Sequence, residues 1–178
     1  MKKNLILTGW GIPEYVAAAA VAFKALSGHA DVMGVSRRRL PELLDEIDDT
    51  WSNVYLLGVS LSGDVPVLAE ALKRLKNLGV KVVWISAFHM PEEFRQDLDG
   101  LIVEQVFDNS LLEAVGRTFK TEVEELRLVL SPSLSDHATG DAFRHTFKAY
   151  EGQRMLPVRF IQPSEALMQM HREHLVAG

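Results

Sequence analysis

The chain has 178 residues, 47% of them hydrophobic, which is enough material for one globular domain with a sizeable core. Its net charge of −5 argues against a generally basic surface for binding nucleic acid. The absence of cysteine excludes a disulfide framework, a thiolate zinc site and a cysteine nucleophile. No apolar run is long enough for a membrane span, and early glycines interrupt the first one. We therefore expect a cytoplasmic protein.

Short apolar runs alternate with helical patterns from the start of the chain. Residues 4–8 are the first predicted strand, residues 13–26 a buried alanine-rich helix, and residues 31–35 the second strand. Residues 37–39 form a basic turn, and the apolar spacing over residues 40–47 predicts a short helix. Strands that alternate with helices predict a parallel sheet.

The stretch from residue 53 to residue 89 repeats this pattern most clearly. Residues 53–59 and 80–85 are apolar runs typical of strands that are buried on both faces. Between them lie turn residues 60–64, with Ser62 or Asp64 as helix cap, and an amphipathic helix. Gly79 stands where a glycine commonly ends a helix. A parallel βαβ unit with a right-handed crossover is predicted, and ligands of such sheets bind beyond the carboxyl ends of the strands.

After this unit, residues 91–94 open a short connection, and the apolar pattern of residues 101–107 predicts a fifth strand. Asp108 or Asn109 then caps a long helix, whose apolar positions run as far as Leu126. The predicted fold is thus a doubly wound α/β domain, with a mainly parallel five-stranded sheet and helices on both faces.

The alternation weakens beyond a linker at residues 131–135. A helix over residues 138–150, a short strand at 156–161 and a last helix after Pro163 are predicted there. We expect residues 1–130 to form the α/β domain, and residues 131–178 to form a helical extension packed on it.

Residues at the predicted strand ends are the candidate ligand-binding set. They are Gly9, Trp10, Gly11, Ser60, Ser62, Ser86 and His89. The glycine spacing in residues 9–11 is not that of a dinucleotide fingerprint, although free amides at a helix start can bind an anion. Ser60 follows a strand as in a nucleophile elbow, but Ser62 stands where that motif needs glycine. Ser60 is therefore a turn residue or, alternatively, a catalytic nucleophile.

Histidines recur in two further groups. His137, Asp141 and His145 share one face of a predicted helix, and His171 lies one turn from His174. Neither group has a recognised zinc-helix spacing, so solvated helix faces are the preferred interpretation. His89 is interpreted in the same way, as a solvated loop residue, unless Trp10 and Phe88 flank it to stack a ligand.

The order and lengths of the elements up to about residue 120 resemble the amino-terminal domain of the DHH phosphoesterase superfamily, which includes RecJ-type nucleases. The resemblance implies a correspondence for five segments: residues 9–19 with the first motif, 39–41 with its leucine–proline step, 54–60 with the second motif, 80–89 with the name-giving Asp-His-His, and 109–115 with the later helix start.

Active members of that superfamily hold two divalent cations with His and Asp residues, and this sequence departs from those motifs. The first motif has Gly9, Trp10, Gly11 and Glu14, the second has Gly58, and the third has Ala87, Phe88 and His89. Only Glu14, Asp64 and His89 remain as weak catalytic or ligand candidates, and two-metal hydrolysis needs more negative charge around the ions.

The resemblance therefore implies a non-catalytic DHH-like domain that binds a protein partner or a small anionic ligand, such as a phosphorylated one. No metal and no cofactor are expected. The first alternative is an atypical phosphoesterase that acts on a nucleotide or oligonucleotide and uses manganese or magnesium. The second is a serine hydrolase that uses Ser60. Nucleic acid is not an expected partner, because the net charge is negative.

Overall fold

The computed structural model describes residues 3–9, 13–61 and 64–123. In this part, strands and helices alternate strictly. The elements are β1 (Asn4–Thr8), α1 (Pro13–Ala25), β2 (Ala30–Gly34), α2 (Leu40–Glu46), β3 (Asn53–Leu57), α3 (Val65–Asn77), β4 (Lys81–Ser86), α4 (Glu92–Leu98), β5 (Glu104–Phe107) and α5 (Leu111–Phe119).

The five strands form one parallel sheet in the order β2-β1-β3-β4-β5. Because β2 pairs on one side of β1 and β3 on the other, the direction of winding reverses between β1 and β3. All carboxyl ends lie at one edge of the sheet, and this reversal is the topological switch point at which such folds bind ligands. The predicted doubly wound α/β fold is confirmed.

The two faces of the sheet carry different helices. Helices α1 and α5 pack together on one face, where Ala17, Ala18 and Ala19 are fully buried and allow a close approach. Helices α2, α3 and α4 cover the other face, with Trp84 at 1% exposure among its core residues. Strands β1 and β4 are buried on both faces, as their unbroken apolar runs predict.

Helix α3 begins and ends as its sequence predicts. Asp64 is its N-cap, and the Asp64 carboxylate accepts a hydrogen bond from Val67 N–H at 3.4 Å. Gly79, just past the end, adopts a φ of +79°, which L-residues with a side chain rarely adopt. Ser62, the other predicted cap, lies outside the described residues.

Four predictions for the second half are wrong. Residues 92–98 form helix α4 and are not a mere connection. Strand β5 begins at Glu104, and Leu101 is instead buried in the hydrophobic core of the face that α2, α3 and α4 cover. Helix α5 is capped by Ser110, whose Oγ accepts from Glu113 N–H at 3.1 Å. It ends at Phe119 because Lys120 turns into the left-handed conformation.

Candidate functional site at the carboxyl edge of the sheet

The switch point is built from two glycines that directly follow neighbouring strands. Gly9 follows β1, and its N–H donates to the Leu57 carbonyl at 3.1 Å. Gly58 follows β3, and its N–H donates to the Ile85 carbonyl at 2.9 Å. The backbone ladder of the sheet thus continues one residue beyond the strands, and neither position carries a side chain into the crevice above.

Tyr15 and Leu111 occupy the space that side chains on these glycines would need. A Cβ atom on Gly9 would lie 2.7 Å from the Tyr15 ring. A Cβ atom on Gly58 would lie 2.8 Å from Leu111 Cδ2 and 3.3 Å from the Tyr15 ring. Gly58 also has a φ of +64°, which favours glycine. The crevice at the switch point is therefore filled by an aromatic ring and an aliphatic side chain.

The first turn of α1 is joined to the first turn of α5 at the same place. The Glu14 carboxylate accepts a hydrogen bond from Leu112 N–H at 3.1 Å, next to the Ser110 cap. Two of the N–H groups that lack partners inside α5 are thereby bonded to oxygen acceptors. The negative charge of Glu14 also lies at the positive end of the α5 dipole. Glu14 is thus a structural cap in this fold.

The hydroxyl of Tyr15 lies in a partly desolvated and negative environment. Burial raises the pKa of the Tyr15 hydroxyl above its usual value of 10.0, and the Glu14 carboxylate raises it further. At neutral pH the hydroxyl is therefore protonated, and Tyr15 adds no negative charge that would attract a cation.

The remaining acid–base candidates lie in separate surroundings. Asp64 caps α3, whereas the imidazole of His89 stacks on the Phe107 ring with the ring centroids 3.5 Å apart. Within the described ranges, no group of three or more His, Asp or Glu residues is placed to hold a metal ion. The structure thus does not gather Glu14, Asp64 and His89 into one cluster.

The other predicted site residues have local roles or lie outside the described part. Ser86 Oγ is buried and accepts from Phe88 N–H at 3.0 Å, which shapes the turn after β4. Ser60 is exposed in the loop after β3, whereas the Phe88 side chain is 66% exposed. Trp10, Gly11 and the two histidine groups beyond residue 130 lie outside the described residues.

A mixed-charge cavity opens at the same edge, between the turn after β2 and the start of α3. It has a volume of about 630 Å³. Its lining includes two basic residues, Arg37 and Arg38, and two acidic residues, Glu42 and Asp64. A ligand that combines an anionic group with hydrogen-bond donors would complement such a lining.

Sequence reasoning missed the part played by Tyr15 and Leu111. Tyr15 has the spacing of an ordinary inward-facing helix residue, and Leu111 that of the first core position of α5. The signal that was available is the pair of glycines at adjacent strand ends, because a buried crevice without side chains of its own must be filled from elsewhere.

Comparisons with known proteins give distant similarities only. No protein-family model matches the sequence, and no curated protein is significantly similar to it. A solved structure described as a pilus assembly protein (CpaE) of Burkholderia thailandensis E264 is similar over 67% of this chain and 96% of its own, with 16% identity and a TM-score of 0.44. The exonuclease RecJ bound to manganese is similar over 98% of this chain and 44% of its own, with 13% identity and a TM-score of 0.40. Neither similarity is high enough to identify a function.

Among the described helices, none has the length and apolar character needed to cross a membrane.

Proposed function

We propose that this chain is a non-catalytic domain of the DHH phosphoesterase type, which binds a small anionic ligand or a protein partner at the carboxyl edge of its sheet. One observation carries the proposal. At the switch point, Gly9 and Gly58 contribute no metal-binding group, and the space above them holds Tyr15 and Leu111. The proposed domain acts in the cytoplasm.

Electrostatics supports the non-catalytic assignment. Two divalent cations in one site repel each other strongly unless several carboxylates or imidazoles surround them. Glu14 bonds to the backbone of α5, Asp64 caps α3, and His89 stacks on Phe107. Moving Glu14 or Asp64 to a cation would leave a helix amide without its acceptor, at a cost of about 1 kcal/mol for each cap.

The cavity beside the basic turn supports an anionic ligand. Arg38, which lines the cavity, carries planar donors that match phosphate or carboxylate oxygens. Asp64 and Glu42, on the same walls, favour a ligand that also carries hydroxyl or amino donors. A phosphorylated metabolite with a polar body combines both features.

Metal binding and hydrolysis test the non-catalytic assignment. We expect a manganese titration of the full chain by calorimetry to show no tight site. We also expect bis(p-nitrophenyl) phosphate to be hydrolysed no faster with the protein and manganese than with manganese alone. Manganese-dependent hydrolysis that is lost in both Asp64→Asn and His89→Ala would refute the assignment and support the atypical phosphoesterase, with manganese or magnesium as its cofactor.

Phosphate binding tests the ligand assignment separately. We expect inorganic phosphate and adenosine monophosphate to shift amide resonances around the cavity, and Arg38→Ala to weaken that binding. Arg39→Ala is the matched control, because Arg39 belongs to the same turn but pairs with Glu42 at 3.9 Å and does not line the cavity. Equal losses in the two variants would indicate general charge attraction and not a site.

The serine hydrolase alternative has its own test. A fluorophosphonate probe should leave the chain unlabelled if Ser60 is a turn residue. Labelling that disappears in Ser60→Ala but persists in Ser86→Ala would establish a serine nucleophile and would overturn the proposed function.

A further inference from the structure

Strand β5 is an edge strand, and no strand in the described ranges pairs with its outer side. A groove of about 800 Å³ lies along it and is lined by residues of α4, β5 and α5. The groove carries charges of both signs, because its lining includes Arg95, Arg117 and Lys120 as well as Asp99 and Glu104. Such an edge complements a second copy of itself, since each copy supplies the charge opposite to that of its partner.

The hydrogen-bond pattern of the sheet shows which backbone groups face the groove. Asp108 N–H donates to the Ser86 carbonyl at 3.4 Å, and alternate residues of a strand bond to the same neighbour. Gln105 and Phe107 therefore face away from β4. The N–H and C=O of Gln105 and the N–H of Phe107 are directed into the groove, as at any sheet edge to which a strand can add.

Two further groups at this edge are already bonded within the chain. The Phe107 carbonyl accepts from Arg117 at 3.5 Å, and Val103 N–H donates to the Val82 carbonyl at 2.9 Å. By the same alternation, Glu104 N–H faces β4. Because C=O and the next N–H point in opposite directions across a planar trans peptide, the Val103 carbonyl points away from β4.

We propose that β5 pairs antiparallel with β5 of a second copy of this chain, around a two-fold axis at Gln105. The two Gln105 residues then exchange both of their hydrogen bonds, and Phe107 N–H of each copy donates to the Val103 carbonyl of the other. This register uses the groups that face outward and needs neither of the two that are already bonded. The Val103 side chain, which is 57% exposed, comes to lie opposite Phe107 of the other copy.

A two-fold axis at Val106 is the competing register, and it is less favourable for two reasons. It requires the Phe107 carbonyl, which Arg117 already occupies. It also places Glu104 directly opposite Asp108 of the other copy, and like charges directly opposite destabilise an antiparallel pair. In the proposed register, Glu104 lies opposite Val106 instead.

The positions of the charged side chains fit the proposed register. Burial and then the Glu104 carboxylate raise the pKa of Tyr55, whose ring centroid lies 5.5 Å from that of Phe119 in α5. Glu104 is therefore on the face of the sheet that α5 covers, and Arg117 of α5 reaches the carboxyl end of β5 on the same side. Since antiparallel pairing brings the start of one β5 to the end of the other, we expect Glu104 of each copy to pair with Arg117 of its partner.

Disulfide trapping tests the register, because the natural chain contains no cysteine. Gln105→Cys, Val106→Cys and Asp31→Cys are oxidised separately as single variants of the full chain. We expect a disulfide-linked dimer for Gln105→Cys alone, because the Cα atoms of a hydrogen-bonded pair are about 5.5 Å apart, within the range of a disulfide. Asp31, which is exposed on the opposite edge strand β2, is the matched control. A dimer that forms preferentially through Val106→Cys, or equally through Asp31→Cys, would contradict the proposed pairing.

An exchange of charges tests the expected ion pairs. We expect the natural chain to form a dimer in sedimentation equilibrium at micromolar concentration. Glu104→Arg should raise the dissociation constant of that dimer by about fivefold or more, and the addition of Arg117→Glu should restore it. Glu70→Arg is the control, because it changes the net charge equally at an exposed position of α3 outside the groove. A natural chain that is monomeric at every concentration, or a double variant no tighter than Glu104→Arg, would overturn the proposal.

Hydrogen exchange in the unmodified chain guards against variants that fail to fold. We expect the amide protons of Gln105 and Phe107 to be protected at concentrations at which the dimer forms, and to exchange faster on dilution. Protection that does not change with concentration would assign the edge to another part of the same chain and overturn the proposal, as would rapid exchange at every concentration. These experiments are independent of the proposed function, since metal content and ligand binding do not enter into them.

Discussion

Glu14 and Leu112 are 98 positions apart in sequence, yet the Glu14 carboxylate accepts a hydrogen bond from Leu112 N–H at 3.1 Å. The bond joins the first turns of α1 and α5, which pack together on one face of the sheet. It uses the only acidic residue of the first α1 turn as a cap for another helix. Glu14, a candidate metal ligand predicted from the sequence, is thus engaged in holding the fold together.

Replacement of Glu14 by alanine should destabilise the protein by about 1 kcal/mol, as the loss of a helix cap usually does. The reason is that Leu112 N–H loses its acceptor and α5 loses a negative charge at its positive end. Urea unfolding followed by circular dichroism measures the change. Glu70→Ala is the control, because its 3.2 Å pair with Lys73 is exposed and should change stability by less than about 0.5 kcal/mol. Equal effects would show that Glu14 is an ordinary surface carboxylate.

Gly58→Ala should destabilise the protein by about 2–5 kcal/mol. The left-handed backbone costs a side-chain-bearing residue about 1–2 kcal/mol, and overpacking against Leu111 and Tyr15 adds about 1–3 kcal/mol. Gly79→Ala separates the two effects, since Gly79 has a similar φ of +79° but no atom within 4 Å of the added methyl group. Gly79→Ala should therefore lower the free energy of unfolding by the backbone contribution alone, about 1–2 kcal/mol. If Gly58→Ala lowers it by no more than Gly79→Ala does, the space above Gly58 is not tightly packed.

Local sequence patterns predicted the sheet well because each strand and helix of the first half satisfies its own periodicity. Residues 4–8 were predicted as a strand with the bounds that β1 has, and Asp64 caps α3 through a contact with a residue three positions away. Such interactions lie within one turn of the chain and leave a local signal.

What the sequence did not reveal depends on distant contacts. The role of Glu14 requires the N-terminus of α5 to be placed beside α1, and no local pattern encodes this. Helix α4 was missed because it has only seven residues and one buried side chain, Leu98, too few for a periodic signal. The cap of α5 was misplaced because Asp108, Asn109 and Ser110 are all good cap residues, and only the path of the chain after β5 selects Ser110.

Stability should fall at alkaline pH through two tyrosines. Burial raises the pKa of Tyr15 and Tyr55 above the usual 10.0, and nearby Glu14 and Glu104 respectively raise it further. The folded state therefore keeps these protons after the unfolded state has begun to lose them. Their contribution is complete below about pH 10 and is lost as the pH rises through the folded pKa values. Urea midpoints measured between about pH 9 and about pH 11 should fall less steeply in Tyr15→Phe and Tyr55→Phe than in the natural chain, whereas parallel curves would contradict this.

Trp84 should be the most costly tryptophan to replace among those in the described residues. Its indole N–H donates to the Val59 carbonyl at 2.9 Å inside the core, and its side chain is 1% exposed. Trp84→Phe removes this bond and leaves the carbonyl without its partner, which costs about 1–3 kcal/mol, and it leaves a small void as well. Because Val59 begins the loop that carries Ser60, the same variant should loosen the carboxyl edge and speed amide exchange there.

Trp51→Phe, at a partly exposed site under Lys3, is the control and should cost less than about 1 kcal/mol. Urea unfolding and hydrogen exchange measure both effects, and a cost for Trp51→Phe as large as that for Trp84→Phe would show that the indole bond does not hold this loop.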